Sequence, residues 1–324
     1  MLDSKCSELK DVLTASVQRN LSDAVLLSGG LDSSIIAGLA TKFTNLTGIT
    51  IAYGGAPDLA YAKILAEKFS IKHIIKHLTK EDVSDAIENV IRIMKSFDPM
   101  EVRNTSVIYA SMKELKGKGF HSVMTGDGGD ELFAGYNYMQ RFDMEKLENE
   151  LIKLWQIMHF SSITIGKELG ISVKAPYLDK EFLDFAKQMP LDLKVKKQNG
   201  VKWGKWILRS CFEDYVTKQV AWREKMPLEE GAGINTFAQR FNSTINDNDF
   251  SEKSKFYTSH DSVRIRDREH LCYYSIYRKF FNAPKTDNCE LRCPNCMGCV
   301  MDDSRFCRTC GAFPIKPIKD IDIG

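Results

Sequence analysis

Long apolar runs are missing from this chain of 324 residues. No segment approaches the ~18–20 consecutive apolar residues that cross a bilayer. The opening MLDSKCSELKDVLTASVQRN is charged and amphipathic, without the apolar stretch of a signal peptide. A dominant charge is missing as well: Lys and Arg total 45, Asp and Glu 43, for a net charge of +2. That balance supplies neither a broad field for nucleic acid nor a polybasic membrane-binding surface, so basic residues must be judged locally. Internal repeats are absent. So is the even scatter of cysteines that marks a secreted disulfide framework. Together these absences predict a soluble cytoplasmic protein with no membrane partner. Against them stands a composition that is 43% hydrophobic and 27% charged, ample for a sizeable core. The length suits one large domain and a small appendage.

The apolar pattern is short and punctuated. Asp23–Leu27 is a brief strand ending in Ser28-Gly29-Gly30, and a helical pattern follows from Leu31 to Phe43. Leu46–Ala52 reads as a second strand; after a Gly-Gly-Ala-Pro turn, Asp58 is placed to cap a helix running to Phe69. Lys72–Leu78 and Ser122–Thr125 read as further strands, with helices over Glu81–Lys95 and Thr105–Lys118 between them. Strands alternating with helices predict an α/β fold with a parallel sheet covered by helices. In such sheets ligands bind beyond the carboxyl ends of the strands. From Asp143 to Phe281 the pattern is mainly helical, with Asn242–Asp249 read as a surface loop; Asn282–Asn288 reads as a linker and the tail after Gly311 as extended.

The segment VLLSGGLDSSII is the strongest signal in the chain. Two glycines let backbone N–H groups approach a phosphate closely. Ser33 and Ser34 add hydroxyls where a helix begins, whose positive end favours anions. Asp32 adds a carboxylate suited to magnesium. A tight strand–helix turn is the plainer reading of a bare SGG. The string lacks the lysine of the GxxxxGK[ST] phosphate loop. It resembles instead the PP-loop of ATP pyrophosphatases, which split ATP between the α- and β-phosphates. That resemblance implies that Ser28, Gly29, Gly30, Asp32, Ser33 and Ser34 bind the pyrophosphate part of ATP and its magnesium.

A second string, TGDGGDELFAGY, sets Asp127, Asp130 and Glu131 on a glycine-rich turn, Gly126–Asp130, after a strand. Closely spaced carboxylates repel, which points to a shared cation or a cationic substrate. A solvated loop with a helix cap is the alternative, although Leu-Phe-Ala-Gly-Tyr behind it looks packed.

SGGLDSS followed by GDGGDELFAGY is similar to the synthetase domain of asparagine synthetases and their relatives. GGAPDLAYAKILAEKF, KAPYLDKEFLDFA, KWGKWILRSCFED, AWREKMPLEEGAG and DREHLCYYSIYRKFF resemble further family segments in the same order, so the likeness covers residues ~20–282. Carried over position by position, it implies a carbon–nitrogen ligase that is AMP-forming. Asp32 and Asp130 would hold magnesium against pyrophosphate, with Gly126 also at the nucleotide. Leu27 and Ile51 would contact adenine. Asp127 would line the acyl-acceptor pocket. Lys205 would face the phosphates, and Lys225 would stabilise charge as the amine attacks. On the sequence alone a surface charge is an equal reading of Lys225. Arg103 is a weaker candidate for a substrate-carboxylate clamp. Lys174 stands where the family usually has arginine before Ala-Pro, leaving that contact open. The first strand starts near residue 23, leaving no room for the glutaminase domain of glutamine-using relatives; the expectation is that the chain does not hydrolyse glutamine alone. Cys6 is read as an ordinary thiol.

Six of the nine cysteines crowd between Cys289 and Cys310. Cys293-Pro-Asn-Cys296 and Cys307-Arg-Thr-Cys310-Gly311 form two CxxC knuckles, which predict four thiolate ligands to tetrahedral zinc in a zinc ribbon. Cys289 and Cys299 are unassigned and keep an iron–sulfur alternative open. The expected organisation is therefore a ligase domain over 1–285 and a zinc ribbon with its tail over 286–324. Arg292, Arg305, Arg308, Lys316 and Lys319, offset by Asp302, Asp303, Asp320 and Asp322, permit RNA without requiring it. The expected function is ATP- and magnesium-dependent amide formation from a small carboxylate and ammonia or an amine, with a separate glutaminase or acyl carrier as a candidate partner. The competing reading is a tRNA-modifying PP-loop ATPase whose ribbon grips RNA. A catalytic CxxC near the nucleotide turn would favour it, and Cys6 and Cys211 do not supply one.

Overall fold

The computed structural model describes residues 2–285, 289–301 and 304–319. They divide into two compact units, 2–77 with 111–232, and 78–110 with the residues from 233 onward.

The first unit opens with α1 (Leu2–Arg19), followed by β1 (Ala24–Leu26), α2 (Leu31–Ala40), β2 (Thr47–Ala52), α3 (Asp58–Lys68) and β3 (Lys72–His77). After α4 (Lys80–Met94) and α5 (Pro99–Gly117), the chain returns to the sheet with β4 (Ser122–Met124), a short α6 (Gly129–Leu132), α7 (Met144–Ile157), α8 (Ser161–Leu169) and β5 (Ser172–Lys174). The five strands form one parallel sheet in the order β3-β2-β1-β4-β5. Its middle is apolar: β2 is buried along its whole length, and Met124 of β4 joins Leu27, Ile35, Ile36 and Phe133 of the adjoining turns and helix in the core. Strand order reverses direction between β1 and β4, which pair at Val25 and Met124. That is the switch point where a parallel α/β sheet leaves a crevice for ligand, and both glycine-rich turns emerge there.

The α/β class and the parallel sheet match the sequence reading. Four strands stand where the pattern put them, and several other expectations are corrected. The stretch called mainly helical supplies β5 and an antiparallel hairpin, β6 (Val195–Gln198) and β7 (Val201–Gly204), preceded by α9 (Lys180–Lys187) and α10 (Leu191–Lys194). Asp58 does not cap α3: Pro57 holds the cap position, and the Asp58 carboxylate turns to Arg223. Cys6 is not a free thiol. α1 packs on α11 (Trp206–Val216), and Cys6 is disulfide-bonded to Cys211 with their Cα atoms 5.2 Å apart. α12 (Lys218–Ala221) and α13 (Leu228–Gly231) complete this unit.

The second unit holds α4, the first part of α5, α14 (Asn235–Thr244), α15 (Asp247–Asp261) and α16 (Arg268–Phe280). Thr79 starts α4 through a capping box with Asp82, which satisfies two otherwise orphaned N–H groups. α5 begins at Pro99, earlier than the periodicity indicated, because Asp98 Oδ1 accepts from Met100 N. The polar run 242–249 is not a loop: α14 and α15 meet within it, and Asn246 caps α15 through Asp249 N. Phe97 is fully buried among the rings of His270, Tyr274 and Tyr277. At the chain's end β8 (Leu291–Arg292) pairs with β9 (Ile318–Lys319), so part of the tail read as extended is a strand. Asp302, Asp303, Asp320 and Asp322 lie outside the described residues, as does the stretch 286–288 of the linker. Among the described residues no helix is long and apolar enough to cross a membrane.

Candidate active site

Four charged side chains from four segments meet beyond the carboxyl ends of β1 and β4. Lys205 Nζ contacts Asp32 Oδ2 and stands 2.6 Å from Asp130 Oδ1. Lys225 Nζ donates to the other oxygen of Asp130 at 2.8 Å. The sequence reading therefore named a set that the fold brings together. Lys205 is almost wholly buried, with its backbone at φ +55°, and Lys225 is one-third exposed.

Glycine makes this approach sterically feasible. A Cβ on Gly129 would stand 2.5 Å from the Asp32 carboxylate, and one on Gly135 would stand 2.1 Å from Asp130 Oδ1. No side chain fits at either position without moving the cluster. Gly126 lies against the start of α2, where a Cβ would meet Ser33 N at 3.0 Å.

Electrostatics differ between neighbouring carboxylates. Burial opposes ionisation of Asp130, but the ammonium groups of Lys205 and Lys225 outweigh it and hold its carboxyl well below the usual range. Burial likewise opposes the charge on Lys225, and Asp130 with Asp32 outweighs that and pushes its pKa up. Asp127 has no such partner among the described residues. Burial pushes its pKa up, while Ser162 and Thr125 donate hydroxyls to Oδ2.

The turn Ser28–Ser34 is closed on itself. Gly29 adopts φ +71° and packs so tightly on α3 that a Cβ would lie 2.8 Å from Asp58 O and Ala62 N. Ser28 Oγ and Ser33 Oγ are 3.0 Å apart, and Ser34 Oγ donates to Gly30 O at 2.5 Å. Leu27, one residue past β1, and Ile51 of β2 are buried, and Thr50 Oγ1 donates to Leu27 O at 2.6 Å. Asp32 Oδ1 is buried and accepts no hydrogen bond among the described residues. Two aspartates, one with an unused oxygen, form a hard-donor set that fits magnesium. Arg103 is a different case: its Nη1 donates to both carboxylate oxygens of Glu269, at 2.8 and 2.7 Å, so its charge is engaged within the second unit.

Two arginines behind the cluster escaped the sequence reading, although both lie in the quoted segments KWGKWILR and AWREK. Arg209 donates to Gly204 O, Ala221 O and Arg223 O at 2.9, 2.5 and 2.9 Å, tying together the segments that carry Lys205 and Lys225. Burial lowers its pKa to about 10, against the pull of Asp32 and Asp130. Arg223 donates to Gly29 O at 3.0 Å and Asp58 Oδ1 at 2.5 Å, with its guanidinium 4.1 Å from the centre of the Tyr61 ring. Arg209 donates to backbone carbonyls, and Arg223 reaches Gly29 O and a carboxylate 165 positions away, so neither leaves a spacing in the sequence to find it by.

A second cluster lies in the second unit. The Sγ atoms of Cys293, Cys296, Cys307 and Cys310 all fall within 4.8 Å of one another, and all four residues are buried. Cys289 and Cys299 are bonded to each other and are not members of this set.

Comparison with known proteins completes the picture. The family model for asparagine synthase matches residues 8–163 and 164–290. Asparagine synthetase B [glutamine-hydrolyzing] of Escherichia coli (strain K12) is 30% identical over 310 residues, which cover 87% of this chain and 55% of that protein. Asparagine synthetase [glutamine-hydrolyzing] of Asparagus officinalis is 30% identical over 244 residues, 68% of this chain and 41% of that one. The chain thus spans about half the length of the curated relatives it matches. A solved structure from Methanocaldococcus jannaschii, described as a predicted subunit of tRNA methyltransferase, aligns with 61% of this chain and 90% of its own at 18% identity. Its TM-score is 0.29, and a likeness of that size carries no argument. The family match stops short of the four-cysteine cluster.

Proposed function

The chain belongs to the asparagine synthase family, and from that premise we propose that it is an ATP-dependent ligase that adenylates a carboxylate and passes the acyl group to ammonia or an amine. The observation that carries this reading is the chain of contacts Asp32–Lys205–Asp130–Lys225 beside the SGG turn. Four opposed charges neutralise one another in a largely buried crevice. Such a set can exchange partners when a polyanion arrives, at little cost in reorganisation.

In the proposed first step a carboxylate oxygen attacks the α-phosphorus of ATP. The bond to the bridging oxygen breaks, and pyrophosphate leaves. The donors of Ser28, Gly29, Gly30, Ser33 and Ser34 take the pyrophosphate, Leu27 and Ile51 flank adenine, and Lys205 turns from the carboxylates to the phosphates. Asp32 and Asp130 would hold magnesium, which supplies charge neutralisation when bound. In the second step the amine nitrogen attacks the acyl carbon, AMP departs and the amine loses a proton. Lys225 stabilises the charge that develops there, and Asp127 lines the acceptor pocket. In the same reading Cys293, Cys296, Cys307 and Cys310 hold zinc, and the segment from 286 acts as a ribbon on a ligase domain over 1–285. A separate glutaminase or acyl carrier is the proposed source of the missing substrate.

Isotope transfer tests the chemistry. Candidate carboxylates labelled with 18O in both oxygens are incubated with ATP and an amine, and the products are weighed by mass spectrometry. One label in AMP, with unlabelled pyrophosphate, is expected. Labelled inorganic phosphate with ADP would overturn the reaction class.

A further inference from the structure

We propose that the metal of the four-cysteine site is an internal staple for the segment Ser96–Arg103 rather than a surface offered to a partner; the inference rests on the zinc reading above and adds its task. Three observations carry it.

The first is the fit of the donor set. Cys293 and Cys310 have their sulfurs 3.8 Å apart, and Cys296 and Cys307 have theirs 3.7 Å apart. Zinc with four thiolates at ~2.3 Å requires sulfur–sulfur edges of about 3.8 Å in a regular tetrahedron. These two edges already have that length, and all four sulfurs lie within 4.8 Å of one another. Both knuckles are closed in the same way, by Met297 N on Cys293 O at 2.9 Å and by Gly311 N on Cys307 O at 2.8 Å.

The second is charge. Four thiols taking one Zn2+ release four protons and leave a centre of net charge −2. Each knuckle carries a guanidinium on its carbonyls. Arg292, fully buried beside Cys293, donates to Met297 O at 3.1 Å. Arg266 donates to Cys310 O at 2.8 Å and Gly311 O at 2.6 Å. A permanently charged guanidinium at each knuckle suits a dianionic centre.

The third is where the knuckle backbones are attached. Ser96 Oγ donates to Arg308 O at 2.7 Å, and Phe97 N donates to Thr309 O at 2.8 Å. Gly311, at φ +72°, lies so close to Asp98 that a Cβ would sit 2.0 Å from its Oδ1. Arg264 N binds Asn295 O of the other knuckle at 2.7 Å. The thiols themselves are 0–1% exposed. Backbone carbonyls of both knuckles are thus engaged by other segments of the chain, Arg308 O by Ser96, 212 positions away. The ion closes the knuckles, the knuckles hold Ser96–Asp98, and Phe97 is thereby seated among the rings of α16.

The experiment uses the full chain. Zinc is counted by elemental analysis and its ligands by X-ray absorption. Hydrogen exchange is then followed by mass spectrometry in the wild type, in Cys310→Ser, and in wild type treated with a chelator should that variant fail to fold. One zinc with four sulfur ligands is expected. On its loss, exchange should speed up at 96–103 and 264–272 by about tenfold or more, while α2 keeps its protection. Absence of zinc would overturn the metal reading itself. Zinc present, with unchanged protection at 96–103 after its removal, would overturn the staple and leave the metal standing.

Discussion

The two clusters of this chain are built on opposite principles. The cysteine site draws its donors from two knuckles close in sequence, soft sulfurs within 4.8 Å of one another and closed from solvent. The crevice between β1 and β4 draws its groups from four distant segments, with hard oxygens neutralised by two ammonium groups, one of them a third exposed. A site meant to keep its ion is best assembled locally and buried. A site meant to bind, react and release is best held in a neutral resting state that a substrate can break. Even neighbouring carboxylates follow this division: Asp130 is held ionised by two lysines, whereas burial pushes Asp127 toward the neutral acid.

The largest effect that would break the comparison lies at Asp130. Asp130→Asn keeps the size of the side chain but removes the charge shared by Lys205 and Lys225. Lys205 keeps Asp32, and Lys225 has solvent, so stability should fall by only about 1–2 kcal/mol. Turnover should fall by roughly a thousandfold or more, the scale of several kcal/mol at the transition state. Steady-state kinetics beside thermal unfolding separates the two. A rate within tenfold of wild type would remove Asp130 from the mechanism.

A third lysine sharpens the contrast. Lys194, the last residue of α10, is fully buried, and its Nζ has no hydrogen-bond partner among the described residues; it stands 4.7 Å from the centre of the Trp155 ring. Desolvation alone pushes its pKa down to about 7. The folded state therefore binds fewer protons than the unfolded one between about pH 7 and the ordinary lysine value near 10.4, and stability rises with pH across that window. Lys194→Met should stabilise the protein by a few kcal/mol at pH 7 or below, less the lost cation–π contact, with the gain fading toward pH 10. Denaturant unfolding at several pH values reads this directly. A gain that does not shrink with rising pH would assign it to packing instead.

The same contrast decides what could be read from the sequence. CxxC spacing is a local signature, so the four thiols were legible without a fold. The PP-loop and GDGGDELFAGY were legible because glycine and carboxylate strings have a chemical reason to recur. Lys205 and Lys225 became legible only through family resemblance, since nothing in Trp222-Arg223-Glu224-Lys225 distinguishes a buried ion pair from a surface charge. The hairpin β6–β7 and β5 were missed because three or four residues give too short a period. The run 242–249 was misread because its polarity hid two helices joined by a cap at Asn246. The Cys6–Cys211 bond was invisible because only the packing of α1 on α11 brings those residues together.

Arg223 gives the smallest and most discriminating test. Its two nitrogens bridge a backbone carbonyl of the Ser28–Ser34 turn, Gly29 O, and the Asp58 carboxylate at the start of α3, while Tyr61 backs the guanidinium plane. Burial favours the neutral form of Asp58, and Arg223 opposes that shift. Arg223→Lys preserves the charge but offers a single point, which cannot reach both oxygens at once. The turn should lose its anchor while Asp58 keeps a cation. The expected outcome is a KM for ATP raised about tenfold, roughly 1.4 kcal/mol, with kcat lowered less and the melting temperature nearly unchanged. Asp58→Asn alone should raise KM by a similar factor, and the double variant should cost little more than either single one, because both break the same bridge. Additive losses would show that Arg223 and Asp58 act separately, and the turn would then owe its shape to Gly29 packing on α3.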